Sequence, residues 1–150
     1  MKPLFILLIV FTITVFVIKF LTHHYNLPLA GRIAMCVMLI FTAIGHFAFT
    51  KGMEMMIPDF IPFKTEVVYL TGLMEIILGI GLLFPSTRVY SAWILIIFFM
   101  LILPANIKAA IENIDIQKAS FDGPGLSYLW FRIPMQILLI IWVYISTIRI

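Results

Sequence analysis

The sequence predicts an all-α fold, an integral membrane bundle of about five helices, and three observations carry that expectation. Of the 150 residues, 63% are hydrophobic and 11% charged, against about 45–50% and about 25% in soluble domains. Mean hydropathy is +1.16, so the chain lacks the polar surface to cover a core in water. Its apolar runs are each about 20 residues long, the length a helix needs to cross about 30 Å of hydrocarbon. The lipid bilayer is therefore the first expected partner. The ten Lys and Arg stand near the ends of runs rather than in a basic block, which suits interfacial anchors and argues against nucleic acid.

Taken in order, the first run, Leu4 to Leu21 after Lys2, is longer than a signal sequence. Lys19 to His24 offers no small-residue cleavage site, so the run is expected to stay as a span. Asn26-Leu27-Pro28 is the turn, because Pro28 disfavours helix in the residue before it. A second span is expected from about Leu29 to Thr50, followed by a surface loop through Pro58 and Pro62. The third covers about Thr65 to Phe84 and ends at Pro85-Ser86-Thr87-Arg88, where Ser86 or Thr87 can cap the next helix. The fourth begins near Val89, kinks at Pro104 and continues to about Asn113. Gly123-Pro124-Gly125 breaks the longest polar connection, and the last span runs from about Tyr128 to Thr147, opened by the interfacial aromatics Tyr128 and Trp130. These limits divide the chain into residues 1–28, an N-terminal transmembrane helix and turn, and residues 29–150, a four-helix membrane domain.

Alternating spans place His46, Glu54, Glu66, Asn106, Arg132 and Gln136 toward one side of the membrane. Glu75 is the sharpest signal: nine residues past Glu66, it lies about 13 Å deeper in an apolar helix. Intramembrane acids face the bundle interior and pair with another polar group, and they mark functional sites by default. Arg132, His46 and Asn106 are the partners within reach. Arg132 and Gln136, four residues apart, share one helix face, and Pro134 between them suits a first helical turn. Gly72 and Gly79 flank Glu75 and permit close helix approach. The candidate ligand-binding set is therefore His46, Glu75, Asn106, Arg132 and Gln136, with Glu54 and Glu66 at its rim. Against it stand blander readings: an interfacial histidine, solvated loop carboxylates, a Glu75–Arg132 ion pair that only holds helices together, and an Asn106 that satisfies backbone groups freed at the kink. His23-His24 and the Met53-Glu54-Met55-Met56 run are weak as metal ligands, and no metal site is expected. The single cysteine, Cys36, excludes an intramolecular disulfide or dithiol relay.

Several short pieces occur in a telling order: Gly45-His46-Phe47, Met56-Ile57-Pro58 with Ile61-Pro62, Thr71-Gly72-Leu73-Met74-Glu75 with Gly79 and Gly81, Leu83-Phe84-Pro85, Leu103-Pro104-Ala105-Asn106-Ile107, and Arg132-Ile133-Pro134-Met135-Gln136. Together, from about Gly31 to Ile145, they resemble the DoxX-like family of small multi-pass membrane proteins (the DoxX/MauE type). That resemblance implies a four-helix membrane core, to which Leu4 to Leu21 is an added N-terminal helix. It also implies an association with quinone-linked oxidoreductases or other membrane partners, and the Arg88 turn and C-terminus inside the cell. Members that work by thiol relay need paired cysteines, which this sequence lacks.

Three functions follow as expectations. The first is a membrane oxidoreductase, or a subunit of one, that binds a quinone or similar amphiphile between helices. No cofactor motif is evident, and a quinone is the one cofactor this reading leaves room for. The second is a non-catalytic binding protein, or an assembly factor or chaperone for a membrane partner. The third is a proton-coupled carrier relaying through Glu75 and His46, less well suited to five spans without a repeat. Enzymatic activity is left open. The expected location is the cell membrane, as in a bacterial inner membrane. Lys19, Arg32, Arg88 and Arg149 fall on one side and Lys2, Lys51, Lys64, Lys118 and Arg132 on the other, so the positive-inside count does not orient the chain.

Overall fold

The computed structural model describes residues 2–149. The first apolar run forms α1, Lys2–Thr22, and the second α2, Leu27–Ala48. His23, at φ 61°, closes α1 in the left-handed region. Its N–H returns to the Lys19 carbonyl at 2.8 Å, a common helix ending. Asn26 caps α2, its side chain accepting from the Leu29 N–H, so Pro28 stands inside the first turn, where its missing N–H costs nothing. The loop expected after α2 instead contains a short helix, α3, Thr50–Met56, which ends two residues ahead of Pro58.

Next comes α4, Lys64–Gly81, followed by α5, Arg88–Leu101, and α6, Leu103–Ile111. The break between α5 and α6 falls just ahead of Pro104, as the kink required. The turn before α5 differs from expectation. Thr87 takes the N-cap position but its side chain makes no capping bond; its hydroxyl donates to the Gly81 carbonyl at 2.9 Å, satisfying the open end of α4 instead. The chain ends in α7, Ser127–Val143, continued by a π-helical turn over Tyr144–Ile148. Pro134 lies inside α7 rather than in its first turn.

Four helical stretches are long and apolar enough to cross a membrane: Lys2–Thr22, Leu27–Ala48, Arg88–Ile111 and Ser127–Ile148. They are compatible with a multi-pass membrane protein. The sequence suggested five, but α4 carries Lys64, Glu66 and Glu75 in 18 residues and falls outside that set. It nevertheless packs more extensively on α2 than any other helix does. The two run antiparallel: His46 lies beside Val68 and Gly72, Thr42 beside Glu75, and Cys36 beside Gly79.

The core gathers Met35 and Leu39 of α2, Leu78 of α4, Leu95 and Phe99 of α5, and Leu139 and Val143 of α7. Of α1 only Leu7 is fully enclosed. Phe11 of the same helix meets Trp142 edge-on, with ring centroids 4.9 Å apart. Thus α1 is an outer helix whose other faces are apolar and uncovered, the pattern of a segment solvated by hydrocarbon rather than water. At the α3 end, the connection after α6 folds back so closely that the Ile116 backbone abuts Gly52, where no side chain fits. Asp59 clasps this end, accepting from Lys64 at 3.2 Å and Lys108 at 3.0 Å.

Candidate functional site

Gly72 lets α4 approach α2: a Cβ there would stand 2.8 Å from the His46 Cβ. This close approach brings together two pairs, each one helical turn apart on its own helix. They are Thr42 with His46 on α2 and Thr71 with Glu75 on α4, and the i, i+4 spacing keeps each pair on one face. Glu75 is 6% exposed, and the His46 side chain 14%.

Glu75 Oε2 accepts from the Thr42 hydroxyl at 2.9 Å and lies 3.5 Å from His46 Nε2, an ion-pair distance rather than a short hydrogen bond. His46 Nδ1 is 3.0 Å from the Val68 carbonyl oxygen and 3.1 Å from the Thr71 hydroxyl. A carbonyl can only accept, so Nδ1 carries a hydrogen. The Thr71 hydroxyl donates back to the Val67 and Val68 carbonyls, both at 2.9 Å, which leaves its lone pair for that same N–H. With the hydrogen on Nδ1, Nε2 is the nitrogen that faces the Glu75 carboxyl.

A second polar centre lies between α6 and α7. Asn106, 1% exposed, donates to Gln136 Oε1 at 3.4 Å, and Gln136 Nε2 donates to the Phe99 carbonyl. Phe99 is in the last turn of α5, whose carbonyls lack intrahelical partners. Gln136 thus satisfies a backbone carbonyl freed at the kink, while Asn106, read as doing so itself, bonds the Gln136 side chain instead.

The predicted set therefore divides in two, and Arg132 joins neither part. The expected Glu75–Arg132 contact does not form: Arg132 lies over the Tyr128 ring, 6.0 Å from its centroid, with no carboxylate within 4 Å among the described residues. The reason is the order of packing. Glu75 faces α2, and α4 shares no extensive contact with α7. The rim residues also stay apart. Glu54 accepts from the Thr65 hydroxyl at 2.7 Å, tying α3 to the start of α4, while Glu66 is exposed in the first turn of α4, where a negative charge complements the helix dipole.

Sequence reasoning missed Thr42 and Thr71. Their signal was legible, since each is four residues before one of the two prime candidates. Among the described residues, no three His, Cys, Asp or Glu side chains gather to hold a metal ion. Two surface grooves, one along Pro104, Lys108 and Glu112 and one along Phe16, Phe20 and His23, are lined by none of the residues of either centre.

No curated protein and no solved structure matches this chain. A family match runs from residue 35, inside α2, to residue 147 in the final turn, and so contains both polar centres but not α1. Over these residues 35–147 the chain belongs to the family described as a domain of unknown function (DUF8561).

Proposed function

We propose that this chain is a DoxX-like protein of the cell membrane that binds the polar head of an amphiphile, a quinone or a lipid, beside the His46–Glu75 pair. It acts as an oxidoreductase-associated subunit, drawing any electrons from the bound molecule or from a partner. One observation carries the reading: two titratable side chains, His46 and Glu75, face each other at 3.5 Å at an edge of the bundle that His46 still reaches. Beside it, Phe47 and Tyr69 stack with ring centroids 5.5 Å apart and 13° between planes, and both are exposed on the apolar surface. A flat ring in the bilayer can lie along them with its oxygen toward the imidazole, which can give or take a hydrogen bond as that oxygen is reduced or oxidised. The order of the Gly45-His46-Phe47 and Thr71-Gly72-Leu73-Met74-Glu75 pieces supports the family resemblance, and the four apolar helical stretches support a multi-pass topology.

The test is native mass spectrometry of the protein purified in mild detergent, with lipids and quinones identified. The variants are Glu75→Gln and His46→Asn, with Arg132→Ala as a change away from the pair. An amphiphile retained by wild type and Arg132→Ala and lost from the other two supports the proposal. Equal retention in all four sinks it. A second reading, a non-catalytic binding or assembly factor in which the pair only locks α2 to α4, is favoured by one fact: Thr42, His46, Thr71 and Glu75 all have partners within the protein. It predicts lost thermal stability in both pair variants with nothing bound in any.

A further inference from the structure

Acidic and basic residues are not distributed alike along the bundle. Of the seven acids, Glu54, Asp59, Glu66, Glu112, Asp115 and Asp122 lie at the end that holds α3, and Glu75 lies inside, engaged by His46 and Thr42. The opposite end, where α2 and α5 begin and α7 finishes, carries Lys19, Arg32, Arg88 and Arg149 and no acid among the described residues.

Arg32 is the unusual member of that group. It is 8% exposed, six residues into α2, and of the five N–H donors a guanidinium carries the structure fills one, Nη1 to the Ser146 carbonyl at 3.1 Å. Its Nε is buried with no partner. The charge that bears on it is a second cation, Arg88, the first residue of α5. Two cations at one end, one nearly enclosed, with no carboxylate within 4 Å of either among the described residues, form an arrangement that an anion would complete.

The surroundings favour the same sign of ligand. The N-termini of α2 and α5 point to this end, as do the C-termini of α1, α4 and α7, so the helix dipoles largely offset one another and the local donors set the sign of the ligand. No side chain caps the first turn of α5, which leaves N–H groups open. The end also carries the marks of a membrane–water boundary: exposed Tyr90 and Trp93 follow Arg88 on α5, and the Trp142 indole donates to the Gly31 carbonyl at 3.1 Å, one residue before Arg32.

We propose that Arg32 and Arg88 form a binding site for a phosphate group, that of an anionic phospholipid headgroup, at the end of the bundle opposite the His46–Glu75 pair. Guanidinium groups suit this ligand because their N–H donors match phosphate oxygens in pairs. The chemistry is that of a phosphate in general, and a soluble phosphate is the other source to separate. The site does not depend on the proposed amphiphile site, and each can fail without the other.

The experiment uses the full chain in nanodiscs of phosphatidylcholine with or without phosphatidylglycerol, followed by release and native mass spectrometry to count retained phosphatidylglycerol. A parallel arm measures protection of the detergent-solubilised chain against thermal unfolding by millimolar inorganic phosphate. The variants are Arg32→Gln, Arg88→Gln and, as an equal charge change at the other end, Lys51→Gln. Arg88 is only half-buried, so its variant carries the test should Arg32→Gln fail to fold. Retention is expected to fall roughly tenfold to a hundredfold in the two arginine variants, the loss of one charge-assisted hydrogen bond, and to be unchanged in Lys51→Gln. Protection by inorganic phosphate that needs both arginines, with no retained lipid, places the phosphate on a soluble ligand instead. The proposal is overturned if Arg88→Gln retains as much lipid as wild type and phosphate protects neither, or if Lys51→Gln loses as much as the arginine variants do.

Discussion

Replacing His46 by leucine should be among the more damaging single changes in this protein, and adding Glu75→Leu should rescue it. In His46→Leu the Glu75 carboxylate, 6% exposed, keeps only the Thr42 hydroxyl. Stripping one partner from a buried ion pair costs about 3–5 kcal/mol. Glu75→Leu alone removes the charge but leaves His46 Nε2 facing apolar groups, a cost of about 1–3 kcal/mol for an unsatisfied buried atom. Independent effects would add to about 4–8 kcal/mol. The double variant should do far better. The Thr42 hydroxyl still reaches the Leu39 carbonyl at 3.0 Å, Thr71 still donates to the Val67 and Val68 carbonyls, and an apolar pair of similar volume fills the space. Its stability is expected within about 1–2 kcal/mol of wild type, since buried ion pairs replaced by well-packed apolar residues are often neutral. The assay is reversible unfolding in detergent micelles against the mole fraction of dodecyl sulfate, followed by far-ultraviolet circular dichroism and analysed as a double-mutant cycle. The buried pairing of His46 with Glu75 is refuted if His46→Leu costs less than about 1 kcal/mol, or if the double variant loses the full sum.

Gly72→Ala should destabilise the α2–α4 contact by about 1–3 kcal/mol through overpacking, because its Cβ would meet the His46 Cβ at 2.8 Å. Gly79→Ala, whose nearest neighbours would be 3.4 Å away, should be neutral or gain up to about 1 kcal/mol of helix propensity; the same unfolding assay ranks the two. Asn106→Leu should cost about 1–3 kcal/mol by leaving Gln136 Oε1 without its donor, and Asn106→Leu/Gln136→Leu should not recover it, since the Phe99 carbonyl is then orphaned. Lys108, with Lys64, holds the Asp59 carboxyl below the ordinary carboxylate range. A lowered folded-state pKa means the clasp is fully formed above that range and is lost as pH falls below it. Amide exchange over residues 57–64 should therefore accelerate toward acid in wild type, once the intrinsic pH dependence is divided out, and show no such step in Asp59→Asn.

Sequence alone determined the helical class and the apolar stretches, since hydrocarbon admits few ways to satisfy a backbone and 20-residue runs leave little choice. It also determined that Glu75 had to be paired, because a lone carboxylate at that depth is costly, and that Pro104 would break its helix. Which partner Glu75 takes was decided only by the tertiary structure. His46 and Arg132 were equally plausible on one-dimensional grounds, and the outcome turns on which helix stands beside α4. Gly72 and Gly79 draw α2 onto it, while α7 packs elsewhere, so the imidazole arrives and the guanidinium does not. The same holds for Arg32. In the chain it reads as one more interfacial anchor, and only the packing of the last turn of α7 over the start of α2 encloses it with most of its donors unfilled. Helix periodicity and hydrophobic length are local properties and can be read along the chain; charge pairing depends on helix adjacency, which is set by small residues and loop paths acting together.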